Sequence, residues 1–357
     1  MSMGGSIQMS VKGQWHPLGA PWTLWDINGD GKEEIIGVKD ERDGFYIYIM
    51  HCETGKILNK VKVPNTAGKC GYKNIAIAYL NGKDPFIIYQ CGVYSGFDNV
   101  IIAFDKDLKQ KWKFLKKAAS EDNYGGSHQL TVADMDNDGK DEIFHGTYLI
   151  DDDGNLLWDP PKPYYHVDGV VVDDIRPDIP GLEVYMYVEQ APGGVHLLDH
   201  KGKLIWERWD CGSIKHAHTG WCADIRDDYP GMECFVHYKK DKMYCPTLIS
   251  ANGKKIMEKD LGNNPIDWDG DKYRELIFAG SIRNGKTLAA IKNIPNGYFY
   301  VMDTIGDYRE EVIRVYEDKK GGSLLLQVYT NTSLINKKRL SPWEDRKYAV
   351  NKRWAGR

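Results

Sequence analysis

The feature that most constrains this sequence is an acidic loop that recurs along the whole chain. It is clearest from Asp134 to Glu142, where acidic or amide side chains alternate around a glycine before an apolar segment begins. The segment from Asp26 to Glu34 has the same form, and that from Asp267 to Glu275 is an altered copy. Two longer segments, from Asp174 to Glu183 and from Asp224 to Glu233, keep the ends of the motif. A motif repeated in this way indicates a chain built from repeated structural units.

The sequence around each loop predicts β-structure. Alternating apolar segments such as 128–133 and 142–150 flank the loops, which is typical of strand, loop, strand. Glycine turns such as Asp153-Gly154 and Asn252-Gly253 then lead to a third strand. The first strands of the units are placed near Trp22, Lys73, His128, His166, Thr219, Asn264 and Gly297.

Seven units of roughly 34 to 55 residues lie in the range expected for propeller blades. The sequence therefore predicts an all-β chain that folds as a single domain, a seven-bladed β-propeller, with eight blades as the less favoured alternative. The last predicted strand, 323–329, is expected to share a blade with N-terminal residues and so close the ring.

Composition argues against several classes of partner. With 47 basic and 51 acidic residues and a formal charge of −4, the chain gives no reason to expect nucleic acid binding. No apolar run approaches the ~20 residues that span a bilayer. Residues 1–6 lack the apolar core of a signal peptide, so we expect either a cytoplasmic protein or an exported one whose signal is not part of this sequence. The oligomeric state is not readable from the sequence.

The seven cysteines are odd in number and widely spaced, which does not suggest a disulfide framework. Most are expected to be buried thiols.

The acidic loops offer oxygen ligands at alternate positions, an arrangement that Ca²⁺ favours. Structural Ca²⁺ is therefore predicted at two loops, with the ligands Asp134, Asp136, Asp138 and Glu142 in one and Asp26, Asn28, Asp30 and Glu34 in the other. The alternative is that the aspartates cap turns without metal. In the two longer loops, Arg176 and Arg226 are expected to place a guanidinium where the ion would lie.

Four segments between Val132 and Val236 carry a family resemblance: Asp138–Ile143, Ile150–Gly154, Arg176–Val184, and Ala223–Arg226 together with 229–231. They resemble the family 11 rhamnogalacturonan lyases and, more loosely, the propeller ulvan lyases and rhamnose-glucuronate lyases. The close match covers about a third of the chain, and its motifs are mostly scaffold. The resemblance implies a polysaccharide partner containing uronate and rhamnose, cleaved by β-elimination.

The same resemblance implies catalytic residues. The smaller propeller lyases use two histidines on one blade, a tyrosine on the next and an arginine after it, an order matched here by His128 and His145, Tyr187 and Arg208. His145 is also a departure, because rhamnogalacturonan lyases carry an aromatic or small residue there. Arg208 suits the substrate carboxylate, and His145 and Tyr187 suit the two proton transfers in an order that stays open. His128 and His166 would hold the carboxylate or orient its neighbours.

A second group suits structural Zn²⁺ by residue type, although its spacing matches no standard zinc pattern. Its members are His216, His218, Cys222, Cys234, His237 and Cys245. As the alternative, His218 and His237 bind substrate in the same pocket as His145 and Tyr187.

Two other functions compete with a lyase. A non-catalytic carbohydrate- or protein-binding propeller needs only structural calcium and exposed aromatics such as Trp22, Trp25, Trp209 and Trp221. A glycoside hydrolase would need two carboxylates outside the loops, for which Glu189 and Asp168 are the candidates. The histidine-rich central repeats favour the lyase.

Overall fold

A computed structural model describes residues 22–64, 73–92, 98–117, 126–159, 166–189, 193–209, 216–240, 243–262, 264–295, 299–317 and 324–333. Over these ranges the chain forms 27 β-strands and no helix. A helix capable of crossing a membrane is accordingly not found among the described residues.

The strands form seven antiparallel sheets, numbered here in chain order. The first contains β1 (Trp22–Trp25), β2 (Glu34–Glu41), β3 (Gly44–His51) and β4 (Ile57–Val63). The second contains β5 (Lys73–Ala78), β6 (Phe86–Cys91), β7 (Asn99–Phe104) and β8 (Gln110–Lys116). The third contains β9 (Thr131–Ala133), β10 (Glu142–His145), β11 (Tyr148–Ile150) and β12 (Leu156–Trp158). The fourth contains β13 (Val167–Asp173), β14 (Glu183–Val188), β15 (Gly194–Leu198) and β16 (Leu204–Arg208).

The fifth sheet contains β17 (Ala217–Ala223), β18 (Glu233–Lys240), β19 (Met243–Ile249) and β20 (Lys255–Glu258). The sixth contains β21 (Asn264–Ile266), β22 (Glu275–Phe278), β23 (Ser281–Arg283) and β24 (Ala290–Asn293). The seventh contains three described strands, β25 (Phe299–Met302), β26 (Glu311–Glu317) and β27 (Leu324–Tyr329).

These sheets confirm the predicted seven-bladed propeller. In each sheet the strands pair in chain order. First strands of neighbouring sheets contact one another, from β1 with β5 through to β17 with β21, which places them at the centre and the fourth strands outside. Residues 1–21 lie outside the described ranges, so the expected ring closure by N-terminal residues stays a prediction.

A buried glutamate at the start of the second strand organises six of the seven blades. In each blade its carboxylate accepts a backbone N–H from the loop that precedes it. The pairs are Glu34 with Ile27 (3.3 Å), Glu142 with Met135 (2.6 Å), Glu183 with Arg176 (2.8 Å), Glu233 with Ile225 (3.1 Å), Glu275 with Trp268 (3.0 Å) and Glu311 with Thr304 (2.7 Å). A buried polar group is costly to leave without a hydrogen-bond partner, so this bond fixes the loop on the strand that carries the glutamate.

The residue before this glutamate links its blade to the preceding one. Backbone N–H groups of Asp141, Met232, Arg274 and Glu310 donate to carbonyls of Tyr79, Ile175, Asp224 and Asp267 at 3.2, 3.0, 2.8 and 2.7 Å. The second blade has no buried glutamate, and there the Asp141 carboxylate of the third blade accepts the Tyr79 N–H at 2.6 Å. One short segment therefore closes each loop and ties neighbouring blades together.

A tryptophan on the outer strand makes a second link at the same end of the blades. Indole N–H groups of Trp112, Trp158 and Trp206 donate to Asp152, His200 and Ala251 carbonyls in the next blade, at 2.7, 3.0 and 2.8 Å. Each ring then covers the glycine of that turn. At Gly202, φ is +76° and an added Cβ would lie 2.6 Å from the Trp158 ring.

The cysteines depart from expectation at one position. Cys91 and Cys234 are buried free thiols, Cys222 is a half-buried one and Cys52 an exposed one. Cys245 is disulfide-bonded. An odd count does not exclude a single bonded pair.

The glycine–tryptophan contact can be tested with a matched pair of substitutions. We expect Gly202→Ala to lower the free energy of unfolding by about 3 kcal/mol, because it adds a steric clash to the cost of positive φ. Gly55→Ala is the control, since Gly55 has φ +66° in the corresponding turn of the first blade with nothing within 4 Å of an added Cβ. Gly55→Ala should lower the free energy of unfolding by only about 1 kcal/mol. Urea unfolding of both variants measures the difference, and equal losses would contradict the contact.

Candidate active site

Histidine and carboxylate side chains converge where the first strands of the third, fourth and fifth blades begin. His128 precedes β9, His166 directly precedes β13, and His216 directly precedes β17. The acidic loops follow the other ends of these strands. A seven-residue strand such as β13 separates the two ends by about 20 Å.

Two β-bulges determine the directions of the Asp168 and His218 side chains. The β13–β14 register shifts between Val167 and Gly169, leaving Asp168 as the extra residue. The β17–β18 register shifts between Ala217 and Thr219, leaving His218 as the extra residue. A bulge re-aims a side chain that regular alternation would place on a blade face. Asp168 and His218 are therefore corresponding positions in neighbouring blades.

The buried part of the cluster contains His128, His166 and Asp168. The two Nε2 atoms lie 2.9 Å apart, and Asp168 Oδ1 lies 3.5 Å from that of His128 and 3.2 Å from that of His166. A backbone bridge between Ser127 and Val167 joins the two segments. The side chain of Asn74, from the second blade, donates to the His128 carbonyl at 3.1 Å.

The exposed part of the cluster contains Glu189, His216 and His218. Glu189 bridges the parts, with Oε2 3.4 Å from His166 Nε2 and Oε1 3.1 Å from His216 Nε2. His218 Nδ1 lies 3.7 Å from Asp168 Oδ2, and its ring stacks on that of His216 at 5.6 Å. The His218 side chain is 45% exposed and that of His166 only 1%, so His218 is the imidazole that a ligand in solvent meets first.

Asp168 is a carboxylate throughout the ordinary pH range. Its burial acts to raise its pKa, but hydrogen bonds from His128 and His166, with the charges of His166 and His218, outweigh burial and hold the pKa far below normal. Asp168 is therefore the fixed negative charge around which the imidazoles are arranged.

The donor atoms fit a divalent cation. His128, His166 and Asp168 form one group with donor atoms within 4.8 Å, and Asp168, His216 and His218 form another. Donors at right angles around one cation, with bonds of about 2.1–2.4 Å, lie about 3.0–3.4 Å apart. The separations of 2.9, 3.2 and 3.5 Å in the buried group are close to these values. Two imidazoles and a carboxylate are also a common donor set for divalent metals.

Comparison with known proteins identifies the family of this chain. The family described as rhamnogalacturonan lyase family 11, C-terminal domain, matches residues 69–356. The chain belongs to this family.

Two related proteins of Bacillus subtilis are consistent with this family membership. The chain is 30% identical to the rhamnogalacturonan exolyase YesX of Bacillus subtilis (strain 168), over 87% of this chain and 60% of that protein. It is 28% identical to the rhamnogalacturonan endolyase YesW of the same organism, over 87% of this chain and 56% of that protein. This chain thus spans less than two thirds of the length of either relative.

Solved structures show the same fold. The crystal structure of rhamnogalacturonan lyase YesW superimposes with a TM-score of 0.77 at 25% identity, over 94% of this chain and 64% of that one. The rhamnogalacturonan lyase PL11 of Bacillus licheniformis gives 0.76 at 26% identity, over 94% and 64%.

His145, predicted as an acid or base, is fully buried in this family member. Its Nε2 lies 3.3 Å from the Gly92 carbonyl, and a Cβ added to Gly126 would lie 2.0 Å from that nitrogen. Burial lowers its pKa to about 4, although two backbone carbonyls act to raise it. A fully buried neutral imidazole cannot contact a sugar ring in this conformation, so the geometry supports a packing role beneath the segment that carries His128.

Tyr187 and His237 occupy corresponding positions behind the two bulges. Tyr187 pairs with Gly169, and its hydroxyl lies where a Cβ of that glycine would be. His237 pairs with Thr219, whose Oγ1 lies 2.9 Å from His237 Nδ1. Both residues are buried. They therefore support the bulges that aim Asp168 and His218, rather than facing an open pocket.

Arg208 does not join the cluster. It ends β16, the outer strand of the fourth blade, and its guanidinium donates to the Gly253 carbonyl in the fifth. Arg208 follows the histidines and the tyrosine in the order that the propeller lyases show. The fold nevertheless places it on an outer strand, away from the histidine cluster.

The residues predicted to bind zinc also separate. The Cys222 and Cys234 sulfurs lie 3.2 Å apart next to the acidic-loop end of their strands, whereas His216 and His218 lie at the other end. Cys245 is in a disulfide, and His237 Nε2 pairs with Asp260 Oδ1 at 3.2 Å. These six residues therefore form no single metal site.

Asp168 and Glu189, considered in the sequence only as hydrolase carboxylates, meet at His166. The signal that sequence reasoning missed is a repeated pattern: His166-Val167-Asp168 and His216-Ala217-His218 both stand where a first strand begins.

The acidic loops differ in how well they could hold Ca²⁺. Asp134, Asp136 and Glu142 form a group within 4.8 Å, and so do Asp269, Asp271 and Glu275. Asp134 Oδ1 and Glu142 Oε1 are buried without a hydrogen-bond partner, so both oxygens are available as ligands. The predicted ligand Asp138 instead pairs with Lys140 at 3.0 Å.

The first loop satisfies its own polar groups. Asp26 accepts backbone N–H groups of Gly29, Asp30 and Gly31 at 2.8–3.0 Å, Asp30 accepts that of Lys32 at 2.8 Å, and Asn28 donates to Glu34 Oε1 at 3.1 Å. This is the turn-capping alternative, and bound Ca²⁺ in any of the loops stays a prediction.

In the two longer loops a guanidinium stands beside an aspartate of the loop. Arg176 binds Asp178 through two bonds of 2.7 and 2.6 Å, and Arg226 binds Asp228 through two of 2.6 and 2.8 Å. That each arginine stands where an ion would lie stays a prediction. Burial raises the pKa of Glu233, at the end of the second of these loops, to about 8.

Glu233 should make stability depend on pH. Because its folded-state pKa is above the unfolded value, the folded protein loses stability as pH rises from about 4.5 to about 8. We expect Glu233→Gln to remove this loss, so that its unfolding free energy gains on the order of 2 kcal/mol relative to the parent protein between pH 5 and pH 8.5. Urea unfolding at both pH values measures the gain. The exposed Glu53→Gln is the control, and an equal response in both variants would contradict the assignment.

Proposed function

We propose that this chain is the catalytic propeller of a polysaccharide lyase that cleaves rhamnogalacturonan by β-elimination. Membership of the family and two relatives named as rhamnogalacturonan lyases support the reaction and the substrate class. The observation that carries the proposal is the convergence of His128, His166, Asp168, Glu189, His216 and His218 from three blades, with its exposed side open to a ligand.

The reaction sets three requirements. The C5–H bond of a uronate breaks, its electron pair forms the C4=C5 double bond, and the C4–O bond breaks. A base must take the C5 proton, an acid must protonate the leaving oxygen, and the carboxylate charge must be offset. A divalent cation held by His128, His166 and Asp168 would offset that charge when bound.

His218 is assigned as the base. Its Nδ1 faces Asp168 at 3.7 Å, which leaves the other ring nitrogen, Nε2, to meet the substrate. The negative Asp168 stabilises the imidazolium that forms when Nε2 takes the proton. The half-exposed ring is also the one that a bound sugar can reach.

His216 is assigned to protonate the leaving oxygen. It stacks on His218, and its Nε2 lies 3.1 Å from Glu189 Oε1, which orients the ring beside the proposed base. The two exposed imidazoles thus divide the proton transfers that sequence reasoning had given to His145 and Tyr187.

A purely binding propeller is less well supported. It requires no histidine cluster, and it would leave a buried carboxylate surrounded by imidazoles without a chemical role. Both relatives described above are named for a lyase activity.

We expect His218→Ala to lower kcat on rhamnogalacturonan by about 10²–10⁴-fold, the usual contribution of a positioned acid or base. Ultraviolet absorbance of the unsaturated product measures the rate. His51→Ala removes a histidine from the acidic-loop end of the first blade and should leave the rate unchanged. Full activity in His218→Ala would contradict the assignment, and absence of unsaturated product with the parent protein would contradict the lyase itself.

A further inference from the structure

Three side chains meet beside the cluster, between the fifth and sixth blades. His237 lies on β18 and Tyr244 on β19, and Asp260 follows β20 on the segment leading to the sixth blade. His237 Nε2 lies 3.2 Å from Asp260 Oδ1, and the His237 and Tyr244 rings are 5.1 Å apart. Burial and the Asp260 carboxylate both act to raise the pKa of Tyr244, so the phenol and the carboxylate are neighbours.

His237 anchors this group on its buried side, and Tyr244 and Asp260 form its solvent-exposed side. The His237 side chain is 11% exposed and the Asp260 side chain 58% exposed. Tyr244 is an exposed residue. The Asp260 carboxylate also accepts the Gly262 N–H at 2.9 Å. An aromatic ring and a carboxylate are thus held in place and presented together to solvent.

This pair has the chemistry of a sugar-binding site. An aromatic face packs against the C–H face of a pyranose, and a carboxylate accepts hydrogen bonds from neighbouring hydroxyls. Because both side chains are held by His237 and the backbone, little ordering cost remains for binding.

The charge selects which sugar fits. Burial acts to raise the pKa of Asp260, but the Gly262 N–H, His237 and Tyr244 outweigh it and keep the pKa below normal. A permanent negative charge repels a uronate and accepts hydroxyls of a neutral sugar. Rhamnogalacturonan contains both galacturonate and neutral rhamnose.

The group adjoins the proposed catalytic histidine. His237 Nδ1 lies 2.9 Å from Oγ1 of Thr219, the residue after His218, and the charge of His218 acts on the pKa of His237. A sugar on Tyr244 would therefore be a near neighbour of a uronate at the cluster.

We propose that Tyr244 and Asp260, backed by His237, form a subsite for a neutral deoxy sugar of the substrate next to the uronate bound at the histidine cluster. The choice of sugar rests on the proposed function. The contribution of the subsite is to binding and register, not to proton transfer.

The test combines kinetics with equilibrium binding. In turnover of rhamnogalacturonan, Tyr244→Ala should raise KM about tenfold with kcat within about twofold, since tenfold corresponds to one lost contact of about 1.4 kcal/mol. Calorimetric Kd values for rhamnogalacturonan oligosaccharides, measured in a His218→Ala background that prevents turnover, should rise equally. Tyr244→Phe keeps the ring and should cost less than Tyr244→Ala, which also controls for folding.

A separate binding experiment tests whether the charge of Asp260 selects the sugar. Asp260→Asn should weaken binding of rhamnogalacturonan oligosaccharides and strengthen binding of oligogalacturonate, because the repulsion is removed. Tyr229→Ala, in the acidic loop at the other end of the same blade, is the control and should change neither value.

The outcomes separate the two proposals. Unsaturated product with unchanged KM and Kd in Tyr244→Ala would overturn the subsite and leave the lyase standing. Binding that depends on Tyr244 without any product would support the subsite and overturn the lyase. A parent protein that neither binds nor cleaves rhamnogalacturonan would overturn both.

Discussion

The bond from a buried glutamate to the loop before it is the interaction on which the rest of this propeller depends. It fixes the turn between the first and second strands in six blades, and the residue before the glutamate often bonds to the preceding blade. A buried carboxylate is costly unless it is hydrogen-bonded, so the bond stabilises one loop conformation strongly. A substitution that disrupts an acidic loop should therefore disturb both its own blade and the contact with the preceding blade.

This constraint divides the molecule into two ends with different tasks. At one end lie the acidic loops that recur in the blades. Those of the third and sixth blades group carboxylates that could hold a cation, and those of the fourth and fifth contain an arginine–aspartate pair. At the other end the strands are free to begin with histidines, and two bulges turn Asp168 and His218 out of the regular alternation. Catalytic variation can thus accumulate at one end without disturbing the bonds that hold the blades together.

Sequence reasoning succeeded where structure depends on local pattern. First strands begin at Trp22, Lys73 and Asn264 as predicted, because alternation and glycine turns are local signals. It did less well where structure depends on bulges and burial. Simple alternation cannot reveal the extra residue at Asp168 or His218, so Tyr187 and His145 were given roles that their burial does not support. Arg208 shows the same limit, since order along the chain does not specify distance from the centre.

We propose that a divalent cation held by His128, His166 and Asp168 joins the third and fourth blades and offsets the substrate carboxylate during elimination. Anomalous diffraction from crystals grown with Mn²⁺ tests this most directly, since it locates the ion independently of activity. We expect an anomalous peak within bonding distance of His128, His166 and Asp168. Peaks confined to the acidic loops, with His128 and His166 bonded only to each other and to carboxylates, would contradict it.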